Sequence, residues 1–295
     1  MSYVRTFPGL ISKRLQYVEE TTYGTVPTTP TFISAGKIKR LSFNIDAAVE
    51  RYRSLGLRTV CSFLQTGQMY SFEIEYSPFD TNLLAYGINN PNGTGTIEKS
   101  LSFLYSKLIN GTEYYYILKG AKTDQITIEI TKEAVNVTQS FLCREVTTPT
   151  TTHGLTTPTF ASAPTGVPWT GKDGGDDPLT YDGSSYDTPR FNLEVAWNLD
   201  PGQPNGQTLI KFLDPTNKDV NADFDVWLKD TTFIAALKSN DEVDVSYSMN
   251  DTSSADLAIT DFHSESYDFE EDADSNEMST EPVMGGAKDV SVSES

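Results

Sequence analysis

The chain has 295 residues, 37% of them hydrophobic, and a net charge of −19; this is enough for one large core or two small ones and excludes disorder throughout. No apolar run approaches the roughly 18 residues of a membrane span, and Met1-Ser-Tyr-Val-Arg-Thr-Phe-Pro8 lacks the apolar stretch of a secretion signal, so cytoplasmic maturation is expected. Residues 1–145 carry a net +2 and residues 146–295 a net −21, which disfavours tight nucleic-acid binding, while such acidity serves solubility or a surface along which a polyanion slides without sticking.

Residues 1–36 show no helix or strand period and are broken by Pro8, Gly9, Gly24, Pro27 and Pro30. A leader of this kind cannot bury its own backbone, which predicts an arm that docks on a neighbouring copy. From Lys37 onward, period-two alternation predicts strands with one buried face. Tyr70, Phe72, Ile74 and Tyr76 alternate with polar residues, as do Ile126, Ile128 and Ile130. Asn110-Gly111, between Leu101–Ile109 and Thr112–Leu118, fits the two-residue hairpin turn with positive φ at both positions. A short helix is expected over 78–88, beginning at Ser77-Pro78, with Phe79, Leu83, Leu84 and Ile88 on its apolar side. Cys61 and Cys143 sit in strand-like segments and read as buried free thiols rather than a pair.

The first β unit thus covers 37–146. Residues 147–189 follow, with eight threonines in the first thirteen positions and six prolines and six glycines overall. This composition predicts a linker, or an extended arm laid over a neighbour, with no strand in it. A second β unit is expected over 190–272, with Phe191, Leu193, Val195, Trp197 and Leu199 alternating early and Val243, Val245, Tyr247 and Met249 late. Its helix is placed near 231–239, with Phe233, Ile234 and Leu237 on one side and Asn240 as the stop. Residues 273–295 read as an acidic tail. About ten strands result. The two units look like a duplication: Leu41–Ile45 matches Phe191–Val195, and Phe72–Tyr76, which leads into the first helix, matches Phe224–Leu228, 152 residues on.

Catalytic signals are weak. His153 and His263 are the only histidines and neither adjoins a nucleophile motif. There is no glycine-rich phosphate loop, so no cofactor is expected. Asp272-Ala-Asp274-Ser-Asn276 begins like a calcium loop but has Glu277 where glycine is needed and Val283 where a bidentate glutamate belongs. Asp173-Gly-Gly-Asp176-Asp177 reads as a turn. The Asn-x-Ser/Thr triplets at Asn92, Asn110, Asn136 and Asn250 read as turn and strand residues. No metal site is expected and no enzyme, although a carbohydrate-active enzyme with paired carboxylates is one competing reading. A β-sandwich adhesin or binding module is another.

The leader Glu20-Thr-Thr-Tyr-Gly-Thr-Val-Pro27, a first strand near Ile38, a mainly β body with a helix after an alternating strand, and a length near 300 together resemble the tail tube (major tail) proteins of long-tailed phages and related viruses. The resemblance implies a β-sandwich or small barrel with one or two flanking helices, tandemly duplicated here if the repeat is real. It implies a virion structural protein made in the host cytoplasm, assembling with itself into stacked rings and contacting other tail proteins. DNA would pass through the lumen without sticking, and no membrane would be entered. Each ring would hold six β units, as a trimer of duplicated chains or as a hexamer. Glu20, Thr22, Tyr23 and Gly24 would belong to the inter-subunit arm, and Glu73, Glu75, Asp223 and Asp225 would face the lumen. A baseplate or capsid-decorating protein is the nearest alternative.

Overall fold

Alternating apolar side chains commit a chain to strands that bury one face, and here they build two copies of one arrangement. The computed structural model describes residues 12–52, 62–89, 99–171, 178–202, 209–227, 232–239, 241–249, 255–267 and 280–294. The first unit contains β1 (Ser12–Glu19), β2 (Ile33–Ser34), β3 (Lys37–Tyr52), β4 (Ser62–Ser77), α1 (Asn82–Ile88), β5 (Leu101–Ile109), β6 (Thr112–Thr131), β7 (Val135–Cys143) and β8 (Glu145–Val146). The second contains β9 (Leu179–Tyr181), β10 (Ser184–Tyr186), β11 (Arg190–Ala196), β12 (Leu199–Gly202), β13 (Phe212–Pro215), β14 (Asp219–Trp227), α2 (Thr232–Ser239), β15 (Val243–Met249), β16 (Ala255–Tyr267), β17 (Thr280–Ala287) and β18 (Asp289–Glu294).

One large antiparallel sheet runs β3-β4-β7-β6-β11-β14-β17-β16, four strands from each unit. A smaller sheet covers each half: β2-β1-β5-β6-β8 in the first unit and β10-β9-β15-β16-β18 in the second. The result is a β-sandwich repeated twice, with no closed barrel among the described residues. β6 and β16 belong to both layers of their units. β6 turns the corner at Gly120 (φ 62°) and β16 at Asp261 (φ 53°), each in the left-handed region. A bulge follows each corner, leaving Asp124 and Glu265 without partners in the ladders to β7 and β17. The corner residue is glycine in β6 because a Cβ there would lie 2.8 Å from Arg144 and 2.9 Å from Tyr23. In β16 the exposed site accepts aspartate.

The duplication is therefore written in topology. Leu41 pairs with Ile74 as Phe191 pairs with Phe224, so β3 and β4 correspond to β11 and β14 at a spacing of 150 residues. The match of Leu41–Ile45 with Phe191–Val195 keeps this spacing. The match of Phe72 with Phe224 slips two residues, because period-two patterns superimpose equally well after such a shift.

Several boundaries differ from expectation. From Ser12 on the leader is laid along its own chain: β1 pairs with β5 from Ser12 to Glu19, and Leu15 and Tyr17 enter the core; residues 1–11 lie outside the described residues. Its period is hidden because Gln16 and Val18, on the other face, are buried too. That face is covered by the Thr-rich stretch, where Ala161 O accepts a 2.8 Å hydrogen bond from Gln16 Nε2. Leu155 and Phe160 pack there around Val18, Phe32, Leu104 and Ile117. The stretch 147–189 thus lies over its own chain and contains β9 and β10. The acidic tail supplies β17 and β18. α1 begins at Asn82 rather than Pro78, since the Pro78 carbonyl accepts from Trp169 N–H instead of from a first helical turn. Asn110 (φ 49°) and Gly111 (φ 81°) form the expected hairpin turn. Cys143 is buried; Cys61, and with it any pairing, lies outside the described residues.

Candidate functional site: the uncovered face and open edge of the large sheet

The smaller sheets cover one face of the large sheet, and the polar half of each strand's alternation lines the other. Arg40 on β3 reaches across to Glu73 and Glu75 on β4. At the corresponding place in the second unit, Arg190 on β11 meets Asp223 at 3.0 Å and Asp225 at 3.2 Å on β14. The hydrogen bond to Asp225 is the largest influence raising the Arg190 pKa, so its charge is permanent. The four carboxylates named from sequence therefore share one face in two equivalent clusters. Both arginines escaped the sequence reading; their spacing of 150 residues, matched to the strand repeat, is the signal that finds them.

Between the clusters the face continues with Lys39, whose ammonium bonds Asn136, and with Gln125, whose Nε2 donates to Glu194 at 2.7 Å. Thr127, Glu129 and Asn192 fall on the same side by alternation. Carboxylates outnumber cations, and the cations present are already engaged. A polyanion near this face meets hydroxyls, amides and net negative charge, with little to hold it.

The edges of the large sheet are equally informative. β11 is paired on both sides, and its core-facing Phe191, Leu193 and Val195 are each 0% exposed. Their counterparts on β3 are Leu41, which is half-buried, Phe43 at 41% and Ile45 at 60% exposed. β3 has β4 on one side and no strand on the other among the described residues. A sixteen-residue strand paired on one side only, with apolar side chains showing, is a template for another strand.

The leader residues have a different placement from the one expected. Glu20 is buried, and its carboxylate accepts from Gly24 N–H (2.7 Å), Gly120 N–H (2.8 Å) and the hydroxyls of Ser100 and Ser102. The Arg144 guanidinium lies 5.8 Å from the Tyr23 ring centroid and donates to Tyr23 O. Thr22 closes a tight turn with Thr25. These residues fasten the leader to the β6 corner of their own chain; the carboxylate of Glu20 and the ring of Tyr23 are already occupied. Burial raises the pKa of the Cys143 thiol well above its ordinary value, which keeps it a neutral core group.

His153 accepts from Leu155 N–H and packs edge-on against Tyr115 and Phe160. The Asp272–Asn276 and Asp173–Asp177 segments lie outside the described residues. Compared with protein families, residues 12–293 match the one described as "Phage tail tube protein". Among curated proteins no match is found.

Proposed function

Since the chain belongs to the phage tail tube protein family and is thereby a structural protein of the virion tail, we propose that three copies close into each ring of the tube. Each chain brings eight strands of large sheet, as two quasi-equivalent sets of four. The chain already contains one junction between sets, from Arg190↔Thr131 to Ala196↔Gln125. Three such junctions within chains and three between chains make six sets around the axis.

The observation that carries this reading is the contrast between β3 and β11. The same inward positions are sealed where β6 lies alongside and exposed where no described strand does. The element equivalent to β6 is β16, whose His263–Tyr267 portion pairs with β17 as β6 pairs with β7. Transferring the internal register sets Asp46 of one chain opposite Ser266 of the next, as Ala196 stands opposite Gln125. Ile45 then faces Tyr267. The ring carries Arg40, Glu73, Glu75, Arg190, Asp223 and Asp225 on the lumen wall, where carboxylates already paired to arginine leave DNA no counter-charge to bind. Stacked rings and other tail proteins complete the tube.

The experiment is a disulfide. Asp46→Cys with Ser266→Cys, on two exposed positions, yields under oxidation a covalent species of three chains, and Asp46→Cys with Ser264→Cys yields much less. A six-chain covalent ring would replace the trimer with a hexamer, and absence of cross-linking in assembled tubes would remove the proposed junction.

A further inference from the structure

α1 belongs to the first unit yet holds the second. It packs along β6 and β18. Its capping residue Asn89 donates from Nδ2 to Val292 O and accepts at Oδ1 from Val292 N–H, both at 2.9 Å. Trp197, just past β11, donates its indole N–H to Gly87 O at 2.7 Å. Gly87 lies so close to the sheet that a Cβ would come within 2.6 Å of Ile126. The helix therefore closes the side of the second sandwich, between β11 and β18. Behind it Val195, Val220, Tyr247, Leu257, Val290 and Val292 are all buried.

The first sandwich has the same side, between β3 and β8, and among the described residues no helix closes it. A groove of about 490 Å³ runs along it, lined by Phe43, Ile45, Tyr105, Tyr116, Val146 and Thr148 among others. The equivalent positions in the second unit are the sealed ones. Thr148 follows β8 as Val292 follows the start of β18. Thr147 N–H bonds Ile117 O, and Thr150 exchanges both its backbone bonds with Tyr115. By alternation, Thr148 turns its N–H and C=O outward, where Val292 turns its own toward Asn89.

We propose that α2 of one chain seats in this groove on the next chain and closes the first sandwich as α1 closes the second. The inference rests on the ring reading above and adds to it a helix-in-groove contact beside the strand pairing. α2 follows β14 as α1 follows β4, and its sequence places Phe233, Ile234 and Leu237 on one side. At the two apolar positions described in it, α2 is less covered than α1: Ile234 is half-buried and Ala235 exposed, while the equivalent Leu84 is 0% exposed and Ala85 half-buried. α2 holds the place in the second unit that α1 holds in the first, and the ring sets it beside the groove of the next chain as α1 stands beside the second sandwich, so a second copy brings helix and groove together.

The test places the photo-reactive p-benzoylphenylalanine at Ala235. In assembled tubes, irradiation should join it to the segment between Tyr105 and Pro149 of another chain, and dilute unassembled protein should give no such product. In parallel, wild-type protein is followed by amide hydrogen exchange. Amides of α2 and of Thr148 should exchange at least tenfold more slowly in tubes than in unassembled chains. Tubes that form the Asp46–Ser266 disulfide but leave α2 exchanging at its unassembled rate would overturn the helix contact while leaving the ring intact. Cross-links confined to other faces would overturn it as well. Failure of the disulfide removes the ring reading first, and this inference with it.

Discussion

A carboxylate taken out of water must find its hydrogen bonds inside the protein, and Glu20 finds four. Two come from backbone N–H groups of glycines in the left-handed region, Gly24 and Gly120, and two from serines on and beside β5. Glu20→Ala strips all four donors at once. Each buried donor left without a partner costs about 1–3 kcal/mol, and rotation of the two hydroxyls recovers part of that, so a net loss of about 2–4 kcal/mol is expected. Urea unfolding should show a lower midpoint with an unchanged slope; an unchanged midpoint would mean that Glu20 is idle. Sequence picked this residue from a short polar motif and attached it to a neighbouring copy. Within the chain one donor, Gly24, is local, and the other three lie 80 to 100 positions away at Ser100, Ser102 and Gly120, a separation that no local pattern reveals. Arg40 and Arg190 were hidden differently, since a single basic residue in a strand carries no period and acquires meaning only when its cross-strand carboxylates are known.

Elements were legible in proportion to their length. The long alternating strands, the Asn110-Gly111 turn and the second helix all appear where the pattern put them. β2, β8, β9, β10, β12 and β13 span two to four residues each, too few for a period to show. β1 was lost for the opposite reason, being buried on both faces. α1 shows how a short element can matter beyond its own burial, because Asn89 ties it to the edge of β18 through two backbone bonds. Asn89→Ala removes both and leaves Val292 with an exposed or unpaired N–H and C=O. A loss of about 1–2 kcal/mol is expected, concentrated in the second unit. Hydrogen exchange would read it as faster opening of β18, with β4 and β7 unaffected; equal acceleration throughout would indicate a global role instead.

At the scale of the whole molecule, the proposed ring repeats between chains a junction that one chain already contains between β6 and β11. Sequence suggested the repeat from matched strands, but only pairing shows that β6 feeds the second unit's sheet and that β3, its place in the repeat equivalent to β11, is paired with β4 alone among the described residues. The uncovered face runs across the β6–β11 junction within the chain, and in the proposed ring its charge would be shared by all six sets. Arginine repeats on that face with the strands, and in each set it is outnumbered by carboxylates. Glu73→Lys with Asp223→Lys exchanges one carboxylate for a cation in every set, with no change on the sandwiched side. Both residues are at least partly solvated, so the fold should survive and tubes should still form. Each six-set ring would gain twelve units of positive charge, and these lysines would displace condensed counterions from phosphates in the lumen into solution. A fluorescent oligonucleotide should therefore sediment with variant tubes at low salt and be released as salt rises, while wild-type tubes leave it in the supernatant. If the variant tubes leave it there too, these strands face away from the lumen.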